Sequence, residues 1–190
     1  MQNKARLNPK FFIGHLERCL GRFKGKTLYS EDGRSFIETK EGKSAYIEAI
    51  EFLRKQKPMK GFSWNENLMK AAKDHVEDIG PKGTVSSIGT DGSLPTDRIS
   101  WYGTIDETWA ESNIFGGLDA KEVIERLIVC DGQPTRGFRK TLYNDQLMEC
   151  GIFTGHHSSH DNIIQLDYVK KLLQVGEAPS INIQTTDEIP

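Results

Sequence analysis

The fold of this chain is decided by residues 109–144, WAESNIFGGLDAKEVIERLIVCDGQPTRGFRKTLYN. Apolar and polar residues alternate at the start of this stretch as they do in a β-strand, so that one face holds Trp109, Glu111, Asn113 and Phe115. A helix pattern begins at Asp119, where Glu122 completes a capping box, and a loop rich in Gly, Pro and Arg follows the helix. We expect Glu111 and Phe138 to flank the pocket that these elements form together.

Further helices and strands are predicted on both sides of this stretch. One long helix follows an S-x-x-E capping box formed by Ser63 and Glu66. A short helix comes after it and should turn Trp101 toward the core. Two strands at residues 147–154 and 163–169 flank a polar loop and predict an antiparallel hairpin.

Length and composition indicate one globular domain. The chain has 190 residues, of which 36% are hydrophobic and 27% charged, and its apolar runs are too short to cross a bilayer. It has neither a signal-peptide pattern nor a glycine motif of the P-loop or dinucleotide-binding kind. The three cysteines are an odd number without C-x-x-C spacing, which argues against a disulfide framework. We therefore expect a protein of the reducing cytoplasm.

Positive charge is concentrated at the N-terminus. Residues 1–28 hold seven basic residues and one acid, although the whole chain has 25 basic and 27 acidic residues. A helix predicted over residues 9–22 has an apolar stripe and a basic face, and residues 25–42 are expected to form a linker. We expect this arm, residues 1–43, to bind an acidic protein surface. The residues predicted to make the contact are Lys4, Arg6, Lys10, Phe12, Leu16, Arg18, Arg22, Lys24 and Lys26.

The histidines do not predict a metal site. His75 lies on the apolar stripe of the long helix, where a histidine bonded to a backbone carbonyl is the commoner arrangement. His156, His157 and His160 share one loop and could hold a metal, but carboxylates near them are few and loop histidines usually stay solvated. We expect no cofactor.

Five blocks of the sequence, taken in order, resemble a known family. They are FLRKQKPMKGFSWNENLMKAAKDHVEDIGPKG, GTDGSLPTDRISWYG, AESNIFGG, VIERLIVCDGQPTRGFRKTLYN and CGIFTG. Together they are similar to the CAP superfamily, the SCP-like group of cysteine-rich secretory proteins, antigen 5 and pathogenesis-related proteins, and in particular to its bacterial-type branch. The resemblance implies an α+β fold, an α-β-α sandwich with a small antiparallel sheet between helical layers, over residues 44–173. An N-terminal helical arm, residues 1–43, precedes this body, and a polar tail, residues 174–190, follows it.

The resemblance also implies a central cleft with two histidines and one or two carboxylates, often around a divalent ion. At the two histidine positions this chain has Ser87 and Phe138, and only Glu111 matches a cleft carboxylate. The second acid of the family falls near Cys130 or Asp131. Zinc needs about three protein ligands, and a phenyl ring offers none, so we expect a vestigial cleft without a metal.

Catalysis is not expected in such a cleft, because Glu111 lacks a second titratable group and Ser87 lacks an adjacent base. We expect Glu111 to hydrogen-bond the loop at residues 133–139 or to pair with Arg136 or Arg139.

Two classes of function follow. The first is a non-enzymatic intracellular interaction module that docks on a larger protein assembly, with a cytoskeletal or ciliary lattice as one candidate and a mitochondrial complex as a less favoured one. The second is a CAP protein that binds a small ligand, such as a lipid or sterol, or a divalent metal in its cleft. We expect protein partners and neither nucleic acid nor a membrane span.

Overall fold

A computed structural model describes residues 1–117 and 119–174 of the chain. The predicted polar tail therefore lies, apart from Gln174, outside the described residues. The elements in chain order are α1 (Gln2–Leu7), a 3-10 helix (Pro9–Phe12), α2 (Ile13–Gly21), β1 (Phe23–Lys24), β2 (Thr27–Tyr29), β3 (Phe36–Glu38), α3 (Lys43–Lys55), β4 (Ser63–Trp64), α4 (Glu66–Ile79), α5 (Pro95–Ser100), β5 (Thr104–Phe115), α6 (Ala120–Val129), α7 (Gly137–Leu142), β6 (Glu149–His157) and β7 (Asp161–Leu173). In these two ranges no helix is both long and apolar enough to span a bilayer.

The main sheet has four strands in the order β4-β6-β7-β5. Strand β7 lies in the middle and pairs antiparallel with β5 on one side and β6 on the other, whereas β4 adds a two-residue parallel edge. The hairpin predicted at residues 147–154 and 163–169 is confirmed, although β6 starts and ends later than predicted and β7 is longer at both ends. Near its start, β5 has a register irregularity between Asp106 and Trp109.

Helices cover both faces of this sheet. Since side chains alternate along a strand, the register that sets Glu111 opposite Asp167 sets Ser112 opposite Leu166 on the other face. The face with Leu166 packs against α2, α3 and α6 in the largest apolar cluster. The opposite face packs against α4 and α5 in two smaller clusters that include Val169 and Ile163. This is the predicted α-β-α sandwich.

Helix α4 lies very close to the sheet. A Cβ atom on Gly151 of β6 would collide with the backbone of Leu68 and Met69, so glycine permits the close approach. The predicted N-cap of this helix is wrong: the cap is Asn65, whose side chain accepts hydrogen bonds from the backbone N–H groups of Asn67 and Leu68. Ser63 instead lies in β4, because its backbone N–H donates to the Met148 carbonyl.

The capping box of α6 is confirmed, with Asp119 and Glu122 bonded reciprocally to each other's backbone N–H groups. The prediction for Trp101 is wrong, since this side chain is 54% exposed. Trp101 is the C-cap residue of the short helix α5. The inward position of α5 is taken by Ile99, which is fully buried.

The predicted linker is a small sheet. Strands β1, β2 and β3 form an antiparallel meander, in which Leu28 pairs with Phe23 on one side and Ile37 on the other. Leu28 and Phe23 are both buried and join the largest apolar cluster, so two apolar side chains anchor the meander to the body.

The N-terminal helices also belong to that cluster, which corrects the prediction of a free arm. Phe12 and Leu16 are fully buried among residues of α3 and α6, so neither side chain is available to a partner. The apolar stripe was predicted correctly, but it faces the core of its own chain. Five of the predicted contact residues are exposed, and Arg22 is half-buried; the exposed ones are Lys4, Lys10, Arg18, Lys24 and Lys26.

Arg6 is the third of the predicted contact residues that the structure buries, with 1% of its surface exposed. Its guanidinium donates hydrogen bonds to four backbone carbonyls, those of Lys60 at 2.6 Å, Leu142 at 2.9 Å, Asn144 at 2.9 Å and Leu147 at 3.2 Å. It also lies over the Phe62 ring, 3.9 Å from its centroid. Burial lowers the pKa of Arg6. Arg6 thus fastens α1 to the end of α7, to the segment that follows it and to the segment before β4.

We predict that Arg6→Ala lowers the free energy of unfolding by about 3 kcal/mol or more, because buried carbonyls then lose their donors. Urea denaturation followed by circular dichroism measures the change. The matched control is Arg18→Ala on α2, an exposed arginine that should change stability by less than about 0.5 kcal/mol. Equal losses in the two variants would contradict the anchoring role.

Candidate functional site

Glu111, the one cleft carboxylate predicted from the sequence, is held in a buried ion pair. Its Oε2 lies 2.7 Å from Nη2 of Arg98, and the two side chains are only 4% and 2% exposed. The predicted pairing with Arg136 or Arg139 is wrong, because those arginines pair with Glu41 and Glu48 outside the cleft. The partner comes instead from α5, which packs next to β5.

Arg98 also holds the loop that precedes α5. It donates hydrogen bonds to the Ser87 carbonyl at 3.0 Å and the Ser93 carbonyl at 2.9 Å. On α4, His75 Nε2 lies 2.9 Å from the Ser86 carbonyl, which confirms the predicted bond to a backbone carbonyl. Burial and the nearby Arg98 lower the pKa of His75. This loop is therefore tied to both α4 and α5.

Amides occupy the remaining positions around the Glu111 carboxylate. Asn113 Nδ2 lies 3.0 Å from Glu111 Oε1 and 3.3 Å from the Ser87 hydroxyl, so it links two of the predicted cleft residues. Gln165 Nε2 donates to Glu111 Oε2 at 3.0 Å. With Arg98 and two amides as donors, the carboxylate is an acceptor that is already satisfied.

Phe138 lies at a different cavity, of about 310 Å³, which extends from the side of Asn113. Cys130 and Asp131, near which the second family acid was expected, line the same cavity. The Asp131 carboxylate accepts hydrogen bonds from the backbone N–H groups of Lys40 and Glu41. The structure thus brings the predicted positions into one region, but divides them between a closed polar cluster and a mostly apolar cavity.

The divalent ion that the family resemblance implies does not fit these residues. Zinc requires about three nitrogen, sulfur or carboxylate ligands around one point. Phe138 offers no ligand atom, the Ser87 hydroxyl is bonded to Asn113, and the charge of Glu111 is neutralised by Arg98. The absence of a metal from this cleft stays a prediction.

Asp167 is a buried acid that the sequence analysis did not single out. It lies opposite Glu111 on β7, is 1% exposed, and accepts hydrogen bonds from Gln165 Nε2 at 3.2 and 3.4 Å. Burial and the Glu111 carboxylate raise the pKa of Asp167 well above its usual value. Two facing carboxyl groups can perform acid-base chemistry only where substrate reaches them, and both of these are buried.

No protein-family model and no curated protein matches the sequence. Among solved structures, an outer surface protein from Borrelia burgdorferi is similar, with 21% identity, a TM-score of 0.51, and coverage of 71% of this chain and 96% of that one. The chain has a CAP-like fold. This similarity concerns the fold alone, and the fold is the α-β-α sandwich that the sequence predicted.

A second similar structure is an extracellular protein containing an SCP domain from Bacillus anthracis str. Ames. Its identity to the CAP-like chain is 15% and its TM-score 0.48, with coverage of 68% of this chain and 38% of that one.

Among the described residues, the three histidines of the loop are not part of a group of three potential ligands whose atoms come together. His157 is buried, with Nε2 lying 3.0 Å from the Thr84 carbonyl, and His156 Nδ1 lies 3.0 Å from the Asp161 carbonyl. His160 stacks near His157 and Phe115. Each of these carbonyls contacts one ring nitrogen, and the absence of a metal from this loop stays a prediction.

A different group of potential ligands was missed by the sequence analysis. In the described part of the chain, one set of three such side chains comes together: His15, Cys19 and Glu125, all buried. Contacts with Cys19 and Glu125 raise the pKa of His15 to about 9. The signal that was available is the spacing of four between His15 and Cys19, which places both on one face of a helix.

We predict that Asp167→Asn leaves the CAP-like chain at least as stable at pH 7 and flattens the pH dependence of its unfolding. The folded state keeps the Asp167 proton to higher pH than the unfolded state, whose carboxyl titrates near about 4. Stability is therefore lost as pH rises above that value, and an amide removes this loss. Urea denaturation between pH 4 and 8 measures it.

The control is Asp78→Asn, for which the opposite sign is expected. Hydrogen bonds from Lys82 and Thr90 outweigh the effect of burial and lower the pKa of Asp78 to about 2. Its contribution to stability is present above pH 4 and lost as pH falls toward 2, so its removal should destabilise the protein at neutral pH. A destabilised Asp167→Asn variant at pH 7 would contradict the account of Asp167.

Proposed function

We propose that this chain is a non-enzymatic interaction module, a CAP-like body that docks on a larger protein assembly with an acidic surface. The observation that carries the proposal is the outer face of the N-terminal helices, where exposed cations lie beside exposed apolar side chains. The proposed compartment is the cytoplasm, with a cytoskeletal or ciliary lattice as a candidate assembly.

The docking face is formed by α1 and the 3-10 helix, whose exposed side chains include Lys4, Leu7, Lys10 and Phe11. Lys4 Nζ lies 3.8 Å from the centroid of the Phe11 ring, so charge and apolar surface adjoin. The one acid of residues 1–28, Glu17, is paired with an arginine of α3. This face therefore attracts acidic groups and offers apolar area to a partner.

The state of the cleft favours binding over catalysis. Glu111 is neutralised by Arg98 and accepts hydrogen bonds from two amides, which makes its carboxylate a weak base toward a substrate proton. Ser87 shares its hydroxyl with Asn113 and has no neighbouring base among its contacts in the described residues. In a non-catalytic module, Glu111 and Ser87 are free to hydrogen-bond their neighbours and need not be kept available for a substrate.

The cysteines support an intracellular location. Cys19, Cys130 and Cys150 are all free and buried, an arrangement typical of proteins from reducing compartments. The two similar solved structures are an outer surface protein and an extracellular protein, so the proposed location differs from what their names state.

A second candidate function rests on the cavity beside the cleft. Its volume of about 310 Å³ lies at the lower end of the range for small-ligand sites, and much of its lining is apolar, including Tyr46, Ile114 and Phe138. A lipid or sterol would be bound here without help from the docking face.

The proposed function is tested with two acidic probes, a fluorescent polyglutamate peptide and polymerised microtubules. We predict that the full chain binds both and that rising salt weakens the binding. The double variant Lys4→Glu and Lys10→Glu should weaken it by about ten-fold, since two favourable charge contacts become repulsive. Fluorescence anisotropy and co-sedimentation measure the affinities.

The matched control is Lys70→Glu with Lys73→Glu, an equal change of charge on α4, across the sheet from the docking face. It should change the affinity by less than about three-fold. Equal losses in the two double variants, or no binding at low salt, would overturn the proposal. If the chain binds a fluorescent sterol, and neither double variant changes that affinity, the result would support the cavity as the functional site.

A further inference from the structure

The buried cluster of His15, Cys19 and Glu125 joins two helices far apart in the sequence. His15 and Cys19 lie one turn apart on α2, and Glu125 reaches them from α6. One ligand atom from each lies within 4.8 Å of the other two. Cys19 Sγ is 3.9 Å from both His15 Nε2 and Glu125 Oε2, and these last two atoms are in direct hydrogen-bond contact.

These distances suit a metal ion. Zinc bonds of about 2.0 Å to nitrogen or oxygen and 2.3 Å to sulfur place tetrahedral ligands about 3.3 to 3.8 Å apart. The two contacts of Cys19 are already close to this separation. An ion would replace the proton shared by His15 and Glu125 and move these two atoms apart.

Two of the three potential ligands, Glu125 and Cys19, are oriented by hydrogen bonds from neighbouring side chains. The Tyr46 hydroxyl donates to Glu125 Oε1 at 2.6 Å, which directs the other carboxylate oxygen toward His15 and Cys19. Arg22 Nη2 donates to Cys19 Sγ at 3.0 Å, and a cation beside sulfur stabilises the thiolate, the form that binds metals. Such outer contacts are the usual supports of metal ligands.

A cavity of about 530 Å³ adjoins the cluster and is lined by His15 and Glu125. It lies between α2, α6 and the meander β1–β3, where Leu28 and Phe36 form part of its wall. An ion held by the three side chains would therefore have a route of entry and room for a fourth ligand, as in zinc sites with one open position.

The same residues do not form a nucleophilic triad. A triad histidine uses one ring nitrogen for the nucleophile and the other for the carboxylate. Here Cys19 and Glu125 both lie next to Nε2, and Nδ1 is buried with no hydrogen-bond partner in the described residues. The Cys19 thiol is also fully buried, so no substrate reaches it.

We propose that His15, Cys19 and Glu125 bind one Zn²⁺ ion, with a fourth ligand, water or a small donor, supplied from the cavity. Nitrogen, thiolate and carboxylate ligands in one set favour zinc over magnesium or calcium. A divalent ion that displaces two protons, from the thiol and from the His15–Glu125 contact, leaves the charge of the cluster unchanged, and both protons pass to solvent. The site clamps α2 to α6 and is independent of the docking face.

The test uses the full chain, stripped of metal with a chelator and titrated with Co²⁺ and with Zn²⁺. Co²⁺ should produce thiolate-to-metal charge-transfer absorption, with one equivalent bound. Zn²⁺ at about a hundred-fold excess over its Kd should raise Tm by roughly 5–10 °C. Cys19→Ser should abolish the absorption and weaken Zn²⁺ binding at least ten-fold.

The matched control is Cys150→Ser, which changes another buried free cysteine and should keep both signals. If Cys19→Ser fails to fold, Glu125→Gln replaces it, because the amide keeps the shape and can still contact Tyr46 while losing the anionic ligand. No charge-transfer band and no rise in Tm in the parent chain would overturn the site. Equal loss in Cys19→Ser and Cys150→Ser would overturn the assignment of ligands.

Discussion

The buried ion pair between Arg98 and Glu111 constrains much of the structure around it. A carboxylate removed from water needs a cation and further donors, and here Arg98, Asn113 and Gln165 provide them. Because Arg98 also bonds the carbonyls of the preceding loop, the pair fixes that loop, α5 and β5 relative to one another. The same contacts lie in the region in which the family resemblance places a cleft, so the cleft position and the stability of the body depend on one set of side chains.

The parts of the fold that the sequence predicted are those governed by local rules. The capping box of α6 depends on residues three apart, and the hairpin of β6 and β7 depends on period-two alternation around a short loop. Both appear in the structure because tertiary contacts reinforce what the local pattern favours. The N-cap of α4 was predicted two residues too early, because Asn65 and Ser63 are both good N-cap residues. Ser63 pairs with β6 in the sheet, so Asn65 is left to cap the helix.

The parts that the sequence did not predict depend on which surfaces meet. A stripe such as Phe12 and Leu16 identifies the buried side of a helix, but not whether its own chain or a partner covers it. Charge counts likewise do not tell which arginine pairs with Glu111. The partner was expected in the loop at residues 133–139, but it is Arg98 of α5. The approach of Glu125 to His15 and Cys19 spans more than a hundred positions, so no spacing rule could reveal it.

The anchoring of α1 by Arg6 has a consequence for how the chain folds. The carbonyls that Arg6 binds belong partly to residues 142–147, so the first helix cannot dock until most of the chain has been synthesised. Contacts of such long sequence separation form late and slow the folding of a domain. Until then the apolar side chains of α2 remain exposed on the nascent chain, where they invite aggregation or capture by a chaperone. Helix α1 is thus one of the last elements to reach its place.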